Sequence, residues 1–358
     1  MIPPVEATAP GKLVLLGEYA VLEGAPAVVA AIDRRARVRV RPADGDRWRV
    51  VAPGLLEGAV AVSLGPDGGV GREEPDASGR LALLDALLRA MAVDGPVDPR
   101  ELPPLELELD TTAFFHRDGP ARPKLGLGSS AALTVALASA LAGAAAAGGV
   151  PEPAGGWLPV LIALHRRAQG GRGSGVDVAA SLLGGTLRYR LGPGGRPEAA
   201  PVALPPGVRL RFVWTGRPTG TEGFLARLER VLAESGGGAR RRLDALAALA
   251  RRGVEALDAE RAGAFLEVVD AYREGMAALG REAGIPILGP EHERLAASAA
   301  ELGVAYKPSG AGGGDLGVAL ATDPAALERF VRSAGEAGFA VPDLAVAREG
   351  AVLHVVAA

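Results

Sequence analysis

Residues 124–131 read KLGLGSSA, and the rest of the sequence is interpreted outward from this stretch. Gly126 and Gly128 allow a tight backbone turn and a close approach to a ligand. Ser129 and Ser130 suit the cap of a following helix, where free N–H groups and the positive end of the helix dipole attract anions. The stretch therefore predicts a phosphate-binding loop, although a tight loop capped by serine would use the same residues.

The span from Gly126 to Ala131 also fits the G-x-G-x-x-A pattern of dinucleotide-binding folds. That pattern needs a hydrophobic strand directly before it and an acidic residue about 20 positions later. Here the preceding residues are PARPK (120–124), and the first acidic residue afterwards is Glu152. The sequence therefore disfavours a nicotinamide dehydrogenase.

Residues 126–151 carry no charge and are numerous enough to cross a bilayer. They are mainly Ala, Gly and Ser, which favours a buried helix over 129–147 instead. The N-terminus lacks a basic start followed by an apolar run, so no targeting segment is expected. We expect a soluble, cytoplasmic protein that does not bind a membrane.

Charge and cysteine content exclude several classes of protein. The 39 Lys and Arg residues against 42 Asp and Glu residues give a net charge of −3, which disfavours nucleic acid as a partner. The chain contains no cysteine, which excludes disulfide scaffolds, thiolate metal sites and a cysteine nucleophile.

Lysine is rare and occurs only beside glycine-rich segments, at Lys12, Lys124 and Lys307. A codon bias toward arginine accounts for its rarity but not for these positions. Because the ammonium group is compact and the guanidinium group is a wide plane, lysine suits a crowded phosphate. We expect the three glycine-rich turns to converge around one polyphosphate.

Two further segments combine glycine with a polar side chain. GSGVDVAA (173–180) places Asp177 at the start of an apolar helix, where a helix cap is the simple explanation. The two glycines and the serine before it favour a carboxylate that points into a site. KPSGAGGGD (307–315) has four glycines within five residues, more than a hairpin needs, which indicates close approach of the backbone to a ligand.

Length and hydrophobicity predict two packed lobes, since 358 residues with 48% hydrophobic content exceed what one core usually serves. Strands and helices alternate without a strict βαβ order, which predicts an α+β fold. The Gly- and Pro-rich stretch 191–206 marks the boundary between an N-terminal lobe, 1–195, and a C-terminal lobe, 196–358, that carries the third glycine segment.

Hydrophobic periodicity predicts the main elements. Strands are expected at 12–16, 35–41, 105–109, 210–214, 303–306 and 316–321, with two more closing the chain. Helices are expected at 81–91, 129–147, 157–169, 176–183, 223–234, 239–260, 262–280, 291–302 and 324–337. Residues 65–80 are expected to form a loop or a hairpin.

Three segments resemble, in order, the three motifs of the GHMP small-molecule kinases, and they span nearly the whole chain. They are PGKLVLLGEYAVL (10–22), GLGSSAA (126–132) and KPSGAGGGD (307–315). The resemblance implies an N-terminal, ATP-binding lobe like ribosomal protein S5 domain 2 and a ferredoxin-like C-terminal lobe. ATP and substrate would lie in the cleft between the two lobes.

Within that family the sequence resembles the phosphomevalonate kinase branch. The resemblance rests on GEYA (17–20), on a middle motif made of His165, AQG (168–170) and GSGVDVAA (173–180), on WTGRPT (214–219), and on Asp315 at the end of the glycine loop. Mevalonate kinases carry a magnesium-binding Glu eleven residues before the catalytic Asp, and Arg166 occupies that position here. This difference disfavours mevalonate as the acceptor and leaves the second metal ligand unassigned.

The resemblance implies roles for individual residues. Lys12 and Asp177 would be catalytic, and the Ser130 hydroxyl would bind Mg²⁺. The ATP-binding residues would be Lys124, Gly126, Leu127, Gly128, Ser129, Ser130 and Ala131. The substrate-binding residues would be Glu18, Tyr19, Ser174, Gly175, Arg217, Lys307, Ser309, Gly310 and Ala311.

The implied reaction transfers the γ-phosphoryl group of ATP to the phosphate of 5-phosphomevalonate in the mevalonate pathway. Because an acceptor phosphate is mostly ionised at neutral pH, Asp177 would orient Lys12 and the acceptor more than act as a base. Lys12, Arg217 and Lys307 would form a cationic wall for the two anions. The alternatives are a mevalonate kinase or another family member acting on a hydroxyl group, and a nucleotide-binding sensor without catalysis.

Overall fold

The computed structural model describes residues 2–71, 79–116, 123–146, 156–219, 221–234 and 237–356. Part of the predicted segment at 65–80, residues 120–122 before the glycine loop, and the end of the predicted helix at 129–147 lie outside these residues. The strands are β1 Val5–Leu16, β2 Ala27–Pro42, β3 Trp48–Val51, β4 Ala59–Leu64, β5 Val70–Gly71, β6 Leu105–Asp110, β7 Thr186–Leu191, β8 Pro197–Pro201, β9 Arg209–Trp214, β10 Ala305–Pro308, β11 Leu316–Ala321 and β12 Val352–Val355.

The helices agree with the predicted apolar periodicity in position and differ from it by a few residues at their ends. They are α1 Ala82–Asp94, α2 Ser129–Ala145, α3 Trp157–Ala168, α4 Val176–Leu183, α5 Thr221–Glu234, α6 Gly238–Asp258, α7 Ala262–Ala283, α8 Pro290–Glu301 and α9 Pro324–Glu336. The observed order of strands and helices confirms the α+β prediction. The prediction of two closing strands was wrong, because β12 alone follows α9 in the described residues.

The larger sheet is organised around β2, which pairs with β1 along one side. On its other side the first half pairs with β7 and the second half with β6. Its strand order in the described residues is β12-β1-β2-β6-β3-β4-β5; in addition, β7 pairs with the first half of β2, and β8 pairs with β7. The apolar first half and the Arg-rich second half form one continuous strand. A register shift against β1, between Pro10 and Gly11, places Asp33 and Arg34 in a bulge, where the alternating pattern begins.

The uncharged segment forms α2, which packs against β1, β2 and α4. Every residue from Ala131 to Ala144 is buried, so the helix is apolar on all sides because protein surrounds it. The prediction of a buried helix is confirmed. None of the helices in the described ranges has the length and apolar character needed to span a bilayer.

The C-terminal half forms a second sheet, ordered β10-β11-β9 and antiparallel throughout. Helices α7 and α8 pack on β10, and α9 packs on β9 and β11. Two strands from the region after residue 195 join the larger sheet, because β8 pairs with β7 and β12 pairs with β1. The division of the chain at residue 195 stays a prediction.

Strand β1 passes so close to the glycine loop before α2 that a side chain would not fit at Gly11. The Lys12 N–H donates to the Leu127 carbonyl at 2.8 Å. A methyl group on Gly11 would lie 2.7 Å from the Leu127 carbonyl oxygen and 2.8 Å from Phe114 Cε1. The absence of a side chain at Gly11 therefore sets the distance between Lys12 and the loop.

We expect Gly11→Ala to lower the free energy of unfolding by about 1–3 kcal/mol, since the added methyl group meets backbone that cannot move aside freely. Gly263→Ala is the matched control, because no heavy atom lies within 4 Å of the added methyl group. Urea denaturation of both variants measures the difference. Equal stabilities for the two variants would contradict the close approach.

Candidate active site

The segments singled out from the sequence surround one cleft of about 640 Å³. The cleft is lined by β1 and the turn after it, the loop before α2, the end of α3, the loop before α4 and the loop after β10. The predicted site residues in its lining are Lys12, Glu18, Tyr19, Lys124, Gly126, Leu127, Gly128, Ser129, Ser130, Ser174, Asp177, Gly310 and Ala311. The expected convergence of the three glycine-rich turns is therefore confirmed.

The loop before α2 leaves the first N–H groups of the helix without a side-chain cap. Gly128, not a serine, is the N-cap residue, with φ 75° and ψ 40°, and glycine has no side chain that could accept a hydrogen bond from the first turn. The prediction of a serine cap was wrong. Uncapped N–H groups at the positive end of a helix form a site that can bind an anion.

Lys12 extends along this loop toward the third glycine segment. Its Cγ would lie 3.1 Å from a methyl group on Gly128, and its amine 3.8 Å from one on Gly310. Among the described side chains, no ion pair within 4.0 Å involves the Lys12 amine, so an anion can meet it directly. Asp177 thus lacks the contact with Lys12 that the expected orienting role requires in this conformation.

Asp177 lies in the first turn of α4 and faces a polar cluster on the other side of the cleft. Its Oδ1 accepts the N–H of Val178 at 2.9 Å, and its Oδ2 lies 4.0 Å from His165 Nδ1. The ring's Nε2 lies within hydrogen-bond distance of Ser130 Oγ, at 3.3 Å. The same oxygen accepts a hydrogen bond from Gln169 Nε2 at 3.1 Å. His165 and Gln169 were not among the predicted site residues, although their spacing of four places them on one face of α3.

Lys307 lies behind the cleft, not in its lining. Its side chain is fully buried, and its amine donates to Glu18 Oε1 and to the Pro308 carbonyl. Burial lowers the pKa of Lys307 below its usual value, while the charge of Glu18 opposes this change. The same carboxylate oxygen accepts the N–H of Gly310 at 3.2 Å, so the ion pair fixes the start of the third glycine loop.

Ser309 and Tyr19 connect the same loop to β1. Ser309 Oγ accepts the N–H of Val14 at 2.9 Å and donates to the Val14 carbonyl at 3.0 Å. The Tyr19 hydroxyl donates to the Ala311 carbonyl, and Tyr19 has a φ of 62°, a strained value for a non-glycine residue. Ser309 links the loop after β10 to β1 and, like Ala131 and Gly175, is not part of the lining of the cleft.

Arg217 is not part of the lining of the cleft. Its side chain is 66% exposed and pairs with Glu291 at 3.2 Å. Arg172, which the sequence did not single out, lines the cleft and lies 3.7 Å from Glu229. The arginine that lines the cleft therefore comes from the loop before α4. Because it lies between two glycines, no periodic or motif pattern in the sequence singled it out.

Asp315 ends the third glycine loop and packs directly on the glycine loop before α2. Its φ is 57°, and its Oδ1 accepts the N–H of Thr219 at 3.1 Å. A methyl group on Gly126 would lie 2.5 Å from the Asp315 carboxyl carbon, so only glycine fits there. Burial raises the pKa of the Asp315 carboxyl, while the Thr219 N–H and the Lys12 charge act in the opposite direction.

The donor groups in the cleft fit a divalent cation that arrives with a phosphate ligand. The Ser130 hydroxyl and the carboxylates of Asp177 and Asp315 line the same space. In the described ranges no group of three or more His, Asp and Glu residues could form a metal site by itself. Mg²⁺ is usually bound by one or two carboxylates together with substrate phosphates, and this donor set suits that arrangement.

Comparisons with known proteins agree with this geometry. The family model of the GHMP kinases N terminal domain matches residues 83–185, and that of the GHMP kinases C terminal domain matches residues 254–340. A phosphomevalonate kinase of Streptomyces sp. (strain CL190) is 31% identical over 87% of this chain and 88% of its own length. A mevalonate kinase of Aeropyrum pernix is 30% identical over 97% of this chain and 98% of its own length.

A solved structure has the same fold. The Streptococcus pneumoniae phosphomevalonate kinase in complex with phosphomevalonate and AMPPNP superposes with a TM-score of 0.73 and covers 95% of this chain and 99% of its own. At 21% sequence identity this likeness is one of fold.

We expect Lys307→Met to lower the free energy of unfolding by about 3–5 kcal/mol, because it leaves the Glu18 carboxylate buried without a partner. Lys307→Met combined with Glu18→Gln removes both charges and should recover most of that loss. Chemical denaturation at neutral pH compares the single and double variants.

Arg217→Met is the matched control for Lys307→Met, since it breaks an exposed ion pair worth about 0–1 kcal/mol. A single Lys307 variant no less stable than this control would contradict the structural role of the buried pair.

Proposed function

The chain belongs to the GHMP kinase family, and on that premise we propose that it transfers the γ-phosphoryl group of ATP to the phosphate of 5-phosphomevalonate. The products are 5-diphosphomevalonate and ADP, a step of the mevalonate pathway. Membership of the family confirms the resemblance of the three motifs and the two-lobed α+β fold expected from it. The observation that carries the proposal is the cleft in which all three glycine loops meet beside Lys12.

Phosphoryl transfer depends mostly on positioning and charge neutralisation, and the cleft supplies both. The uncapped N–H groups at the start of α2 and the Lys12 amine would hold the nucleotide phosphates, with Lys124 at the edge of the loop. Mg²⁺, when bound, neutralises charge on the transferred phosphoryl group, and the Ser130 hydroxyl and the Asp177 carboxylate are the groups on the chain that would hold it.

The acceptor half of the proposal rests on charge. Two anions must meet in the cleft, and in its described lining the basic side chains of lysine and arginine are Lys12, Lys124 and Arg172. Lys12, on β1, extends along the nucleotide loop, and Lys124 lies at the edge of that loop, which leaves Arg172 for the phosphate of the acceptor. The planar guanidinium group binds phosphate through two hydrogen bonds, and its partner Glu229 is 3.7 Å away and exposed, so it releases easily.

An acceptor phosphate reduces the need for a general base. Its second pKa is near 6, so it is mostly a dianion at neutral pH. A hydroxyl acceptor would require a base worth roughly 10²–10⁴-fold in rate. Asp177 is hydrogen-bonded to Val178 N–H and faces His165, which suits a carboxylate that orients groups in the cleft.

Arg166 weighs against the alternative of a mevalonate kinase, which the 30% identical relative keeps open. It occupies the position where the mevalonate kinase pattern has a metal-binding Glu, and its guanidinium donates to the carbonyls of Gly173 and Ser174 at 2.8 and 3.1 Å. A cation that fixes the loop before α4 replaces the metal ligand there. This substitution favours the phosphorylated acceptor.

Turnover with a panel of acceptors tests the proposed function. We expect ADP release with phosphomevalonate to exceed that with mevalonate, homoserine or a sugar, because these lack the pre-ionised phosphate. Lys12→Met serves as the inactive control and should lose about 10²–10³-fold in kcat, as expected for removal of a group that stabilises transition-state charge. Faster turnover of mevalonate would favour the sister kinase, and ATP binding without turnover of any acceptor would favour a sensor.

Arg172→Ala should raise the KM for phosphomevalonate about tenfold or more, as removal of a charged hydrogen bond does, and leave the KM for ATP unchanged. Arg217→Ala is the matched control, since its guanidinium pairs with Glu291 outside the cleft. Steady-state kinetics with each substrate varied in turn measures both effects. The reverse pattern would assign the acceptor to Arg217, as the sequence predicted.

A further inference from the structure

His165 is a buried histidine that the proposed reaction does not use. It lies in the last turn of α3 with 4% of its surface exposed, and it reaches the cleft beside Ser130 and Asp177. Gln169 follows one turn later, and both side chains contact the same oxygen atom, Ser130 Oγ. A histidine held at this depth against the hydroxyl that faces the nucleotide suggests a role in directing that hydroxyl.

The hydrogen-bond capacity of the Ser130 hydroxyl limits what it can bind. A serine hydroxyl has one hydrogen to donate and two lone pairs to accept with. The Gln169 amide donates to Ser130 Oγ and occupies one lone pair. The second lone pair stays available only if the hydroxyl hydrogen goes to another acceptor and if no further N–H donates to the oxygen.

His165 Nε2 is that acceptor when the ring carries its hydrogen on Nδ1. The 3.3 Å separation between Nε2 and Ser130 Oγ allows the bond. Asp177 Oδ2 lies 4.0 Å from Nδ1, and its negative charge stabilises a hydrogen on that side of the ring. A hydrogen on Nδ1 would face this carboxylate, and Nε2 would then accept from Ser130.

We propose that His165 is a positioning residue that takes the Ser130 hydroxyl hydrogen and so directs the free lone pair of Ser130 Oγ toward the divalent cation of the nucleotide. This inference rests on the proposed function, in which Ser130 binds Mg²⁺. Outer partners of a metal ligand commonly change metal affinity 10–100-fold, so His165 is expected to affect the Mg²⁺-dependent part of nucleotide binding and not the part due to N–H groups and lysine.

Nucleotide affinity with and without the metal separates these two parts. The probe is a fluorescent N-methylanthraniloyl derivative of ADP, titrated once in excess MgCl₂ and once in EDTA. His165→Phe keeps a planar ring but has no acceptor, and we expect it to lose about 10–100-fold of the gain in affinity that Mg²⁺ provides. Its affinity in EDTA should equal that of the wild type.

His165→Gln is the conservative variant, because its side-chain amide can still accept from Ser130, and it should restore most of the Mg²⁺-dependent gain. Arg167→Ala is the matched control on the same helix, where the exposed side chain pairs with Asp94, and it should behave like the wild type. Should the phenylalanine variant unfold, His165→Leu offers a smaller side chain that also lacks an acceptor.

An unchanged Mg²⁺-dependent gain in His165→Phe, or an equal loss in the phenylalanine and glutamine variants, would overturn the role of His165 while leaving the proposed function intact. A wild-type protein that binds no nucleotide in either buffer would instead contradict the proposed function itself. Loss in the phenylalanine variant with recovery in the glutamine variant supports the assignment.

Discussion

The buried ion pair between Lys307 and Glu18 is the interaction on which the cleft depends. It joins the turn after β1 to the end of β10, so it connects the two sheets at the point where the site lies between them. Two charges removed from water are stable only when each satisfies the other, and breaking such a pair costs far more than breaking an exposed one. Because Glu18 also accepts the Gly310 N–H, the same pair fixes the loop that faces Lys12.

Around this pair the glycine-rich segments pack closely against one another, because glycine leaves room for a neighbouring backbone or side chain. Gly11 lets β1 approach Leu127, and Gly126 lets Asp315 contact the glycine loop before α2. Close packing of backbone places many N–H groups in a small volume, which is what a polyphosphate requires. The glycine content of the three motifs is therefore a packing requirement of the cleft as well as a requirement of its ligand.

The cations of the protein divide into those that stabilise the fold and those that can meet a substrate. Lys307 and Arg166 are engaged with protein acceptors, and Arg217 pairs with Glu291 at the surface. Lys12 and Lys124 line the cleft, and so does Arg172. The rarity of lysine therefore has two physical meanings here, since a compact ammonium group suits a crowded anion site and equally suits a narrow position in the core.

The local pattern alone determined a large part of this protein. The alternation in β6, the apolar spacing of α1 and the uncharged segment of α2 depend on side chains close in sequence, so periodicity identified them. The three glycine motifs identified the family and half of the cleft lining by residue number. A strand of changing composition such as β2 was harder, because its two halves pair with different neighbours and carry different patterns.

Tertiary structure decided which polar side chain faces which space. Nothing in the sequence around Lys307 distinguishes a substrate-binding amine from one paired with Glu18, because the partner is 289 residues away. The same holds for Arg217 and Arg172, and for the contact of His165 with Ser130 across 35 residues. A motif specifies which groups are present, whereas the direction and partner of each group follow from packing between segments distant in the chain.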